Sequence, residues 1–502
     1  MEILRAGGSA IDAAMAAGAV LSVVYPHMTG IGGDALWLLS DRGKVDTLMG
    51  LGQAGHRLPD TGRIDGRGPA SAATTAGALR GWSLAHDWSR DRWGSTMTWP
   101  DLLEQAVAFA RYGYEVSESQ AFWQQQRRRL IRDLPDLTTL CCDETGELHP
   151  EGALVTRPSL AETLAHLARA GVDDFYDGEL ATALAAGFEK LGNGLIRDDL
   201  SATRAWHAPP LSIRYRAGIL YNFPPPTQGL YTLSALNTLN PVDLAALKNG
   251  GADYFHYLVE SIKAQLKHRN RELCDPVAGN PDTQRLLNPA RALTDCAAID
   301  LDKAVPWQEE GRPADTVWLG ASDSQGRTAC LMQSLFHDFG SGCLVGDTGI
   351  LWLNRAAGFS PDPAHKNAWA PGQLPAHTLN PSAYLADDGT QFYFGSQGGD
   401  GQPQTQMVLA TQLVDFNQPV EKALHAPRFL QGRSFFGSNE SLKLEQNIAP
   451  GVGESLAARG HDIEWIPKLS PFTGLAGVIA IQPDGRREAM HDPRGEGTAL
   501  AQ

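Results

Sequence analysis

Cysteine is scarce. Six residues in 502, at 141, 142, 274, 296, 330 and 343, form no CxxC pair and show no metal-ligand spacing. They read as reduced thiols, neither a disulfide framework nor a metal site. Long apolar runs are also missing: the one extended stretch, AAMAAGAVLSVVY over 13–25, is too short to cross a bilayer and stops at Pro26. The opening, MEILRAGGSAIDAA, has no basic segment leading into an apolar one, so the secretory-signal pattern is absent and a soluble, cytoplasmic protein is expected. Positive charge is in deficit, 42 Lys and Arg against 57 Asp and Glu, and the net charge of −15 opposes nucleic acid and anionic membrane. The expected partner is a small molecule. Two further absences narrow the chemistry: GIGGD near residue 32 lacks the GK[ST] of a phosphate loop, and no G-x-S-x-G nucleophile elbow occurs.

What is present is the composition of a globular enzyme, with 42% hydrophobic and 20% charged residues and many turn formers, 53 Gly and 31 Pro. Ser9-Ala-Ile-Asp12 is a capping box ahead of a small, apolar helix over about 10–24. The glycine-rich connection after Pro26 leads into two strands that turn at Asp41-Arg42-Gly43. Residues 100–190 are helical in pattern, a helix starts near Thr227 after the PPP run, and a long amphipathic helix spans 254–275. The stretch 276–315 is polar and poor in periodicity, a place where a cut would be tolerated. Beyond it come strands: TVWLGAS, TACLMQSL, GILWLN, QFYFG and GLAGVIAIQ. Strands with covering helices in both halves predict a layered α+β domain.

The abrupt start of TVWLGAS puts Thr316 directly after the polar stretch. Thr is common in strands for packing reasons alone. The hairpin around Asp323-Ser-Gln-Gly326, however, sets Thr316 opposite Gln333 or Ser334, so a second hydroxyl stands near it in the latter case. Further on, QFYFGSQGGDGQPQTQ reads as strand, glycine loop and helix with Pro403 in the first turn, an arrangement that points bare N–H groups at one spot and suits an oxyanion. A threonine hydroxyl needs a base, and its own α-amine, titrating near about 8, is a good one. Freeing that amine requires scission between Asp315 and Thr316.

These segments, together with EILRAGGSAIDAA, YPHMTGIGGDALWLL, PPPTQGL, FGSG, DTGILWLNR and DPRGEG, resemble the γ-glutamyltranspeptidase family of N-terminal-nucleophile hydrolases over nearly the whole chain. The family's usual strand ahead of the first helix is not seen here. The resemblance implies a four-layer αββα sandwich and a precursor that cuts itself into a large piece, 1–315, and a small piece, 316–502, which stay together without a disulfide. It implies Thr316 as nucleophile, Ser334 as the supporting hydroxyl, and Gly398 and Gly399 as the oxyanion hole; with no His/Cys cluster in the sequence, no cofactor or metal is expected. Asp34 and Asp400, both in glycine loops, read as turn-capping groups. A homodimer is compatible with all of this.

The residues that grip a γ-glutamyl group in the family are replaced. The carboxylate-binding arginine falls at Leu51, the amine-binding aspartate at Gly358, an asparagine at Phe336, and the paired serines at His377 and Thr378. DTVW, HTLNP, GGDGQPQTQ and SLKLE are most similar to the oxamate amidohydrolase branch of the family, which acts in purine and ureide nitrogen breakdown. That likeness implies a small acid amide as substrate, with Arg355 taking the carboxylate and His377 and Thr378 lining the pocket. Arg355 also has a structural alternative, pairing with a surface acid. A γ-glutamyl hydrolase or transferase, and an uncut binding protein, are the competing readings.

Overall fold

Ser9 caps the helix Ala10–Val24: its hydroxyl accepts from the N–H of Asp12, whose carboxylate accepts from the N–H of Ser9 at 2.7 Å. The expected capping box is therefore formed. Gly18 lets this helix lie directly on a strand, since a Cβ there would sit 2.8 Å from Leu331. In the computed structural model, which describes residues 1–310, 314–433 and 439–501, the chain divides into two compact units. One comprises 1–208 with 315–375, the other 209–314 with 376–501. Of the polar stretch before Thr316, residues 311–313 lie outside the described residues.

The first unit is built on a five-stranded antiparallel sheet in the order Ala205–Ala208, Lys44–Gly50, Asp34–Asp41, Thr328–Phe336 and Asp315–Ser322. Asp34–Ser40 and all of Thr328–Phe336 are buried, so these inner strands are covered on both faces. The Asp41-Arg42-Gly43 turn uses positive φ at Arg42 and Gly43, the conformation a tight two-residue hairpin requires. The second hairpin closes where expected, with the Gly326 N–H on the Asp323 carbonyl at 3.0 Å.

The second unit has a six-stranded antiparallel sheet in the order Arg487–His491, Ala476–Ile481, Gln391–Ser396, Ser382–Ala386, Gly218–Asn222 and Leu211–Tyr215, with a separate three-stranded sheet. The helices Gly229–Leu239, Ala252–Glu272 and Gly401–Ala410 contribute to a core with Tyr215, Leu236, Leu258, Phe394 and Met407. Mixed helices and sheets make the chain α+β, as expected. Each large sheet draws strands from both sides of residue 315, so the expected pieces share sheets rather than meet at a seam. All six cysteines are free. Among the described residues, no helix is long and apolar enough to cross a membrane.

Two details differ from the sequence reading. GILWLN is not a strand: Leu351 and Trp352 make only isolated bridges, and their neighbours bond to loops, as with the Leu353 N–H on Gly32 at 3.0 Å and the Ser341 N–H on Trp352 at 2.8 Å. A 3-10 turn at Gly346–Thr348 before it and another at Arg355–Gly358 after it leave no room for a ladder. The stretch 276–315 is also less irregular than its pattern, containing the short helices Thr283–Leu286 and Pro289–Ala297. The latter starts on a local signal, Asn288 capping ahead of Pro289.

Candidate active site

Thr316 sits in a β-bulge. Asp315 pairs with Phe336 and Val317 with Gln333, so Ser334 and Leu335 together oppose the single residue Thr316. The hairpin thus resolves the two expected partners in favour of Ser334. Gln333 is turned into the core, where its side chain accepts from Trp82 at 2.9 Å and donates to Ser22 and Thr29 at 2.9 and 3.0 Å. Thr316 is 1% exposed, and its hydroxyl donates to the Asp315 carbonyl at 2.6 Å. The Ser334 hydroxyl donates to the same oxygen and accepts the Phe336 N–H at 2.8 Å. Two hydroxyls therefore polarise the carbonyl of the bond that scission would break.

The GIGGD glycines have a packing role here. A Cβ on Gly33 would lie 2.3 Å from the Ser334 carbonyl oxygen, and one on Gly32 would lie 2.4 Å from that of Leu351. Asp34 accepts the N–H groups of Gly52 and Gly77 at 2.8 and 3.0 Å, so in place of the expected turn capping it ties two distant backbone segments to the start of its strand.

Phe336, at φ 81°, is held in a conformation few side chains adopt. Its ring carries the Arg355 guanidinium, 3.8 Å from the ring centroid, and stacks on His337 with centroids 4.2 Å apart. Arg355 is 3% exposed. A Cβ on Gly358 would lie 2.9 Å from Arg355 Nη2, so the space beside Gly358 is taken by this guanidinium. Leu51, where the arginine of the family would fall, is a buried apolar residue. Asn354 fixes His337 by accepting its backbone N–H at 3.0 Å and donating to Nδ1 at 2.8 Å. Burial, then the nearby Arg67, bring the His337 pKa down to about 3.

Sequence reasoning missed Arg67, Arg127 and Asp338. Arg127 grips the Asp338 carboxylate with two bonds of 2.6 and 2.9 Å, and Arg67 adds a third at 2.9 Å and another to the Gly340 carbonyl at 2.7 Å. Asp338 is buried two residues beyond Phe336. Arg127 lies in the run QQQRRRLIRD, whose composition alone does not distinguish the inward arginine from the exposed Arg128 and Arg129.

The second unit holds the other predicted residues. Gly398 and Gly399 have φ of 117° and 54°, values open to glycine. Their carbonyls are engaged, Gly398 with the Gly401 N–H at 2.7 Å and Gly399 with the Gln228 amide at 2.8 Å. Among the described residues neither of their N–H groups has a protein acceptor. Gln228 also donates to the Thr378 carbonyl at 2.7 Å and accepts from Arg269 at 2.9 Å, while Arg269 forms a buried pair with Asp400. Asp400 is thus an ion-pair partner that braces the loop. His377 is buried in an extended crossing with Thr227, its Nδ1 accepting the Leu379 N–H at 3.3 Å.

One group resembles a metal site. His256, Glu260 and His461 bring ligand atoms within 4.8 Å of one another. The Lys263 ammonium already occupies that charge position, on Glu260 at 2.8 Å and on the Val305 carbonyl at 2.7 Å. His461 bonds His256 at 2.9 Å, and His256 bonds the Asp300 carbonyl at 2.9 Å. This closed chain ties residues 300–305 to the helix Ala252–Glu272 within the second unit.

Comparison with known proteins agrees with the motifs. The sequence model for gamma-glutamyltranspeptidase matches residues 1–502. The chain belongs to the gamma-glutamyltranspeptidase family. It is 39% identical to an oxamate amidohydrolase proenzyme of Klebsiella pneumoniae, over 99% of this chain and 95% of that protein. It is 32% identical to the glutathione hydrolase-like YwrD proenzyme of Bacillus subtilis, over 99% and 95%. Among solved structures, cephalosporin acylase from Bacillus halodurans superposes with a TM-score of 0.87 at 28% identity, covering 98% of this chain and 91% of that one. Family membership and the α+β class stand on these matches.

Proposed function

We propose that this γ-glutamyltranspeptidase-family chain is an amidohydrolase that matures by cutting itself between Asp315 and Thr316 and then hydrolyses a small acid amide, oxamate, to oxalate and ammonia. The observation that carries the reading is the shared carbonyl: the Thr316 and Ser334 hydroxyls both donate to the Asp315 oxygen inside a bulge. Scission there leaves Thr316 as a chain end with a free α-amine. In the mature enzyme the amine takes the hydroxyl proton as Oγ adds to the amide carbon, and the tetrahedral intermediate releases ammonia with that proton. Water then hydrolyses the threonine ester, giving oxalate. The developing oxyanion is assigned to the N–H groups of Gly398 and Gly399 by the family motif, supported by two amides with no acceptor of their own. The fold that accompanies this reading is the four-layer αββα sandwich, with pieces 1–315 and 316–502.

The choice of an acid amide over a γ-glutamyl group rests on Leu51 and Gly358, which offer no charge to a glutamyl carboxylate or amine, and on Arg355 beside the latter. The 39% identity to an oxamate amidohydrolase points the same way. In this reading Arg355 takes the substrate carboxylate, and His377 and Thr378 line the pocket. N-terminal sequencing of the purified protein tests the first half: a fragment beginning at Thr316 is expected, and Thr316→Ala should stay one chain. A single uncut wild-type chain would leave the binding-protein reading standing. Ammonia release from oxamate, set beside release from γ-glutamyl-p-nitroanilide, tests the second half, and comparable turnover of both would return the chain to the γ-glutamyl enzymes.

A further inference from the structure

The mature nucleophile has its own α-amine as base, but in the uncut chain that nitrogen is part of the amide bond to Asp315 and cannot accept a proton. Self-cleavage therefore needs a different proton carrier. His337 is unsuited, because its Nδ1 accepts from Asn354. Ser334 is a hydroxyl like the nucleophile itself. The side chain of Asp315 remains, on the residue whose carbonyl is attacked.

That side chain is in an unusual position. Asp315 is 0% exposed, and among the described residues no side chain bonds either carboxyl oxygen, the backbone N–H of Asp338 being the one donor that bears on it. A carboxylate so placed is too costly to keep ionised. The charged groups acting on it are Asp338, two residues beyond its register partner Phe336, and the arginines Arg127 and Arg67 that hold Asp338 as an anion. Both arginines pair with Asp338, and among the described residues Asp315 has no ion pair. Burial first, and the Asp338 charge second, hold Asp315 well above the ordinary carboxylate range against the pull of the two arginines. His337 and His27, the imidazoles that feel Asp338, are both buried and neutral.

We propose that the buried side chain of Asp315, on the residue whose carbonyl Thr316 attacks, is the acid–base catalyst of the chain's own cleavage, passing one proton in from the Thr316 hydroxyl and another out to the Thr316 nitrogen. This rests on the reading of Thr316 as nucleophile. A neutral carboxyl has one acceptor oxygen and one O–H, so it can do both at once. As Thr316 Oγ bonds to the Asp315 carbonyl carbon, its proton goes to the acceptor oxygen. As the carbon–nitrogen bond breaks, the carboxyl O–H proton goes to nitrogen, which becomes the free amine. The carboxyl ends as it began, one ester replaces one amide, and water then hydrolyses the ester to free the Asp315 chain end. When Asp315 ionises no carboxyl proton stands ready for the nitrogen as Oγ adds, so maturation slows on the alkaline side, a limit that the amide hydrolysis of the mature enzyme does not share.

The test follows cleavage of chains made in a brief cell-free synthesis and shifted to buffers from about pH 5.5 to about pH 9.5, read as loss of the full-length band. Wild type should slow about tenfold per pH unit on the alkaline side, and Asp315→Asn should slow cleavage about 100-fold at neutral pH and lose that limb. Asp315→Glu should restore part of both. Thermal melts of Thr316→Ala and of Thr316→Ala/Asp315→Asn, neither able to cut, check that the asparagine chain folds. A folded Asp315→Asn chain that cuts at the wild-type rate with the wild-type profile would overturn the proposal while leaving Thr316 intact as nucleophile. Failure of wild type to cut at all would instead remove the reading on which it rests.

Discussion

Thr316 and Ser334 donate their hydroxyls to one oxygen, the carbonyl of Asp315, because the bulge sets two residues of one strand against one of the other. Ser334 also accepts the buried Phe336 N–H. Ser334→Ala should therefore slow cleavage at least tenfold and leave that N–H without a partner, a loss of about 1–3 kcal/mol. A cleavage time course gives the first, and urea midpoints of Thr316→Ala with and without Ser334→Ala give the second.

Arg355 presents a planar cation across the Phe336 ring. In Arg355→Lys the charge survives and the fork is lost, so KM for oxamate should rise about tenfold or more with a smaller fall in kcat and normal self-cleavage. Gly358→Asp places a carboxylate on a position whose Cβ would lie only 2.9 Å from Arg355 Nη2. It should pair with the guanidinium and lower kcat/KM for oxamate at least tenfold. Steady-state kinetics on both variants decide whether Arg355 serves the substrate or only the fold.

The loop bearing Gly398 and Gly399 is braced by Gln228 and the buried Arg269–Asp400 pair. Arg269→Met strands Asp400, a change that typically costs about 3–5 kcal/mol. The midpoint of unfolding should fall, and kcat should fall more than KM rises because the loop amides lose their support. Gln228→Ala, which removes no charge, should show the kinetic effect with less loss of stability.

His27 and His337 are held neutral with pKa near about 3, against an ordinary 6.5, chiefly by burial. Below the ordinary value the unfolded chain takes up protons that the folded chain refuses. Their contribution is thus complete above about pH 6.5 and is lost as pH falls from there toward about 3, at roughly 1.4 kcal/mol per pH unit for each group. Urea midpoints of Thr316→Ala at successive pH values should show this fall, and His337→Asn should reduce its slope.

The sequence by itself determined much of this protein: the capping box at Ser9, the two hairpin turns, the glycine loop before Pro403, and Thr316 at the head of a strand. Each of these is written in residues a few positions apart, where turn chemistry and side-chain period act locally. It also narrowed the partner of Thr316 to Gln333 or Ser334. Tertiary structure alone decided the rest. The bulge chose Ser334, since a one-residue shift in register is not encoded in either strand. Asp315 reads as an ordinary polar residue ahead of a strand, and only its burial, with no ion pair among the described residues, suits it to carry a proton. Arg127 reaches Asp338 across 211 positions, and nothing local in QQQRRRLIRD marks which arginine turns inward. The sequence motif GGDG likewise says nothing of Gln228 and Arg269, whose contacts hold the loop through side chains brought together by packing. Local signals specify elements, whereas the electrostatics of a buried site depend on which distant groups share the same low-dielectric volume.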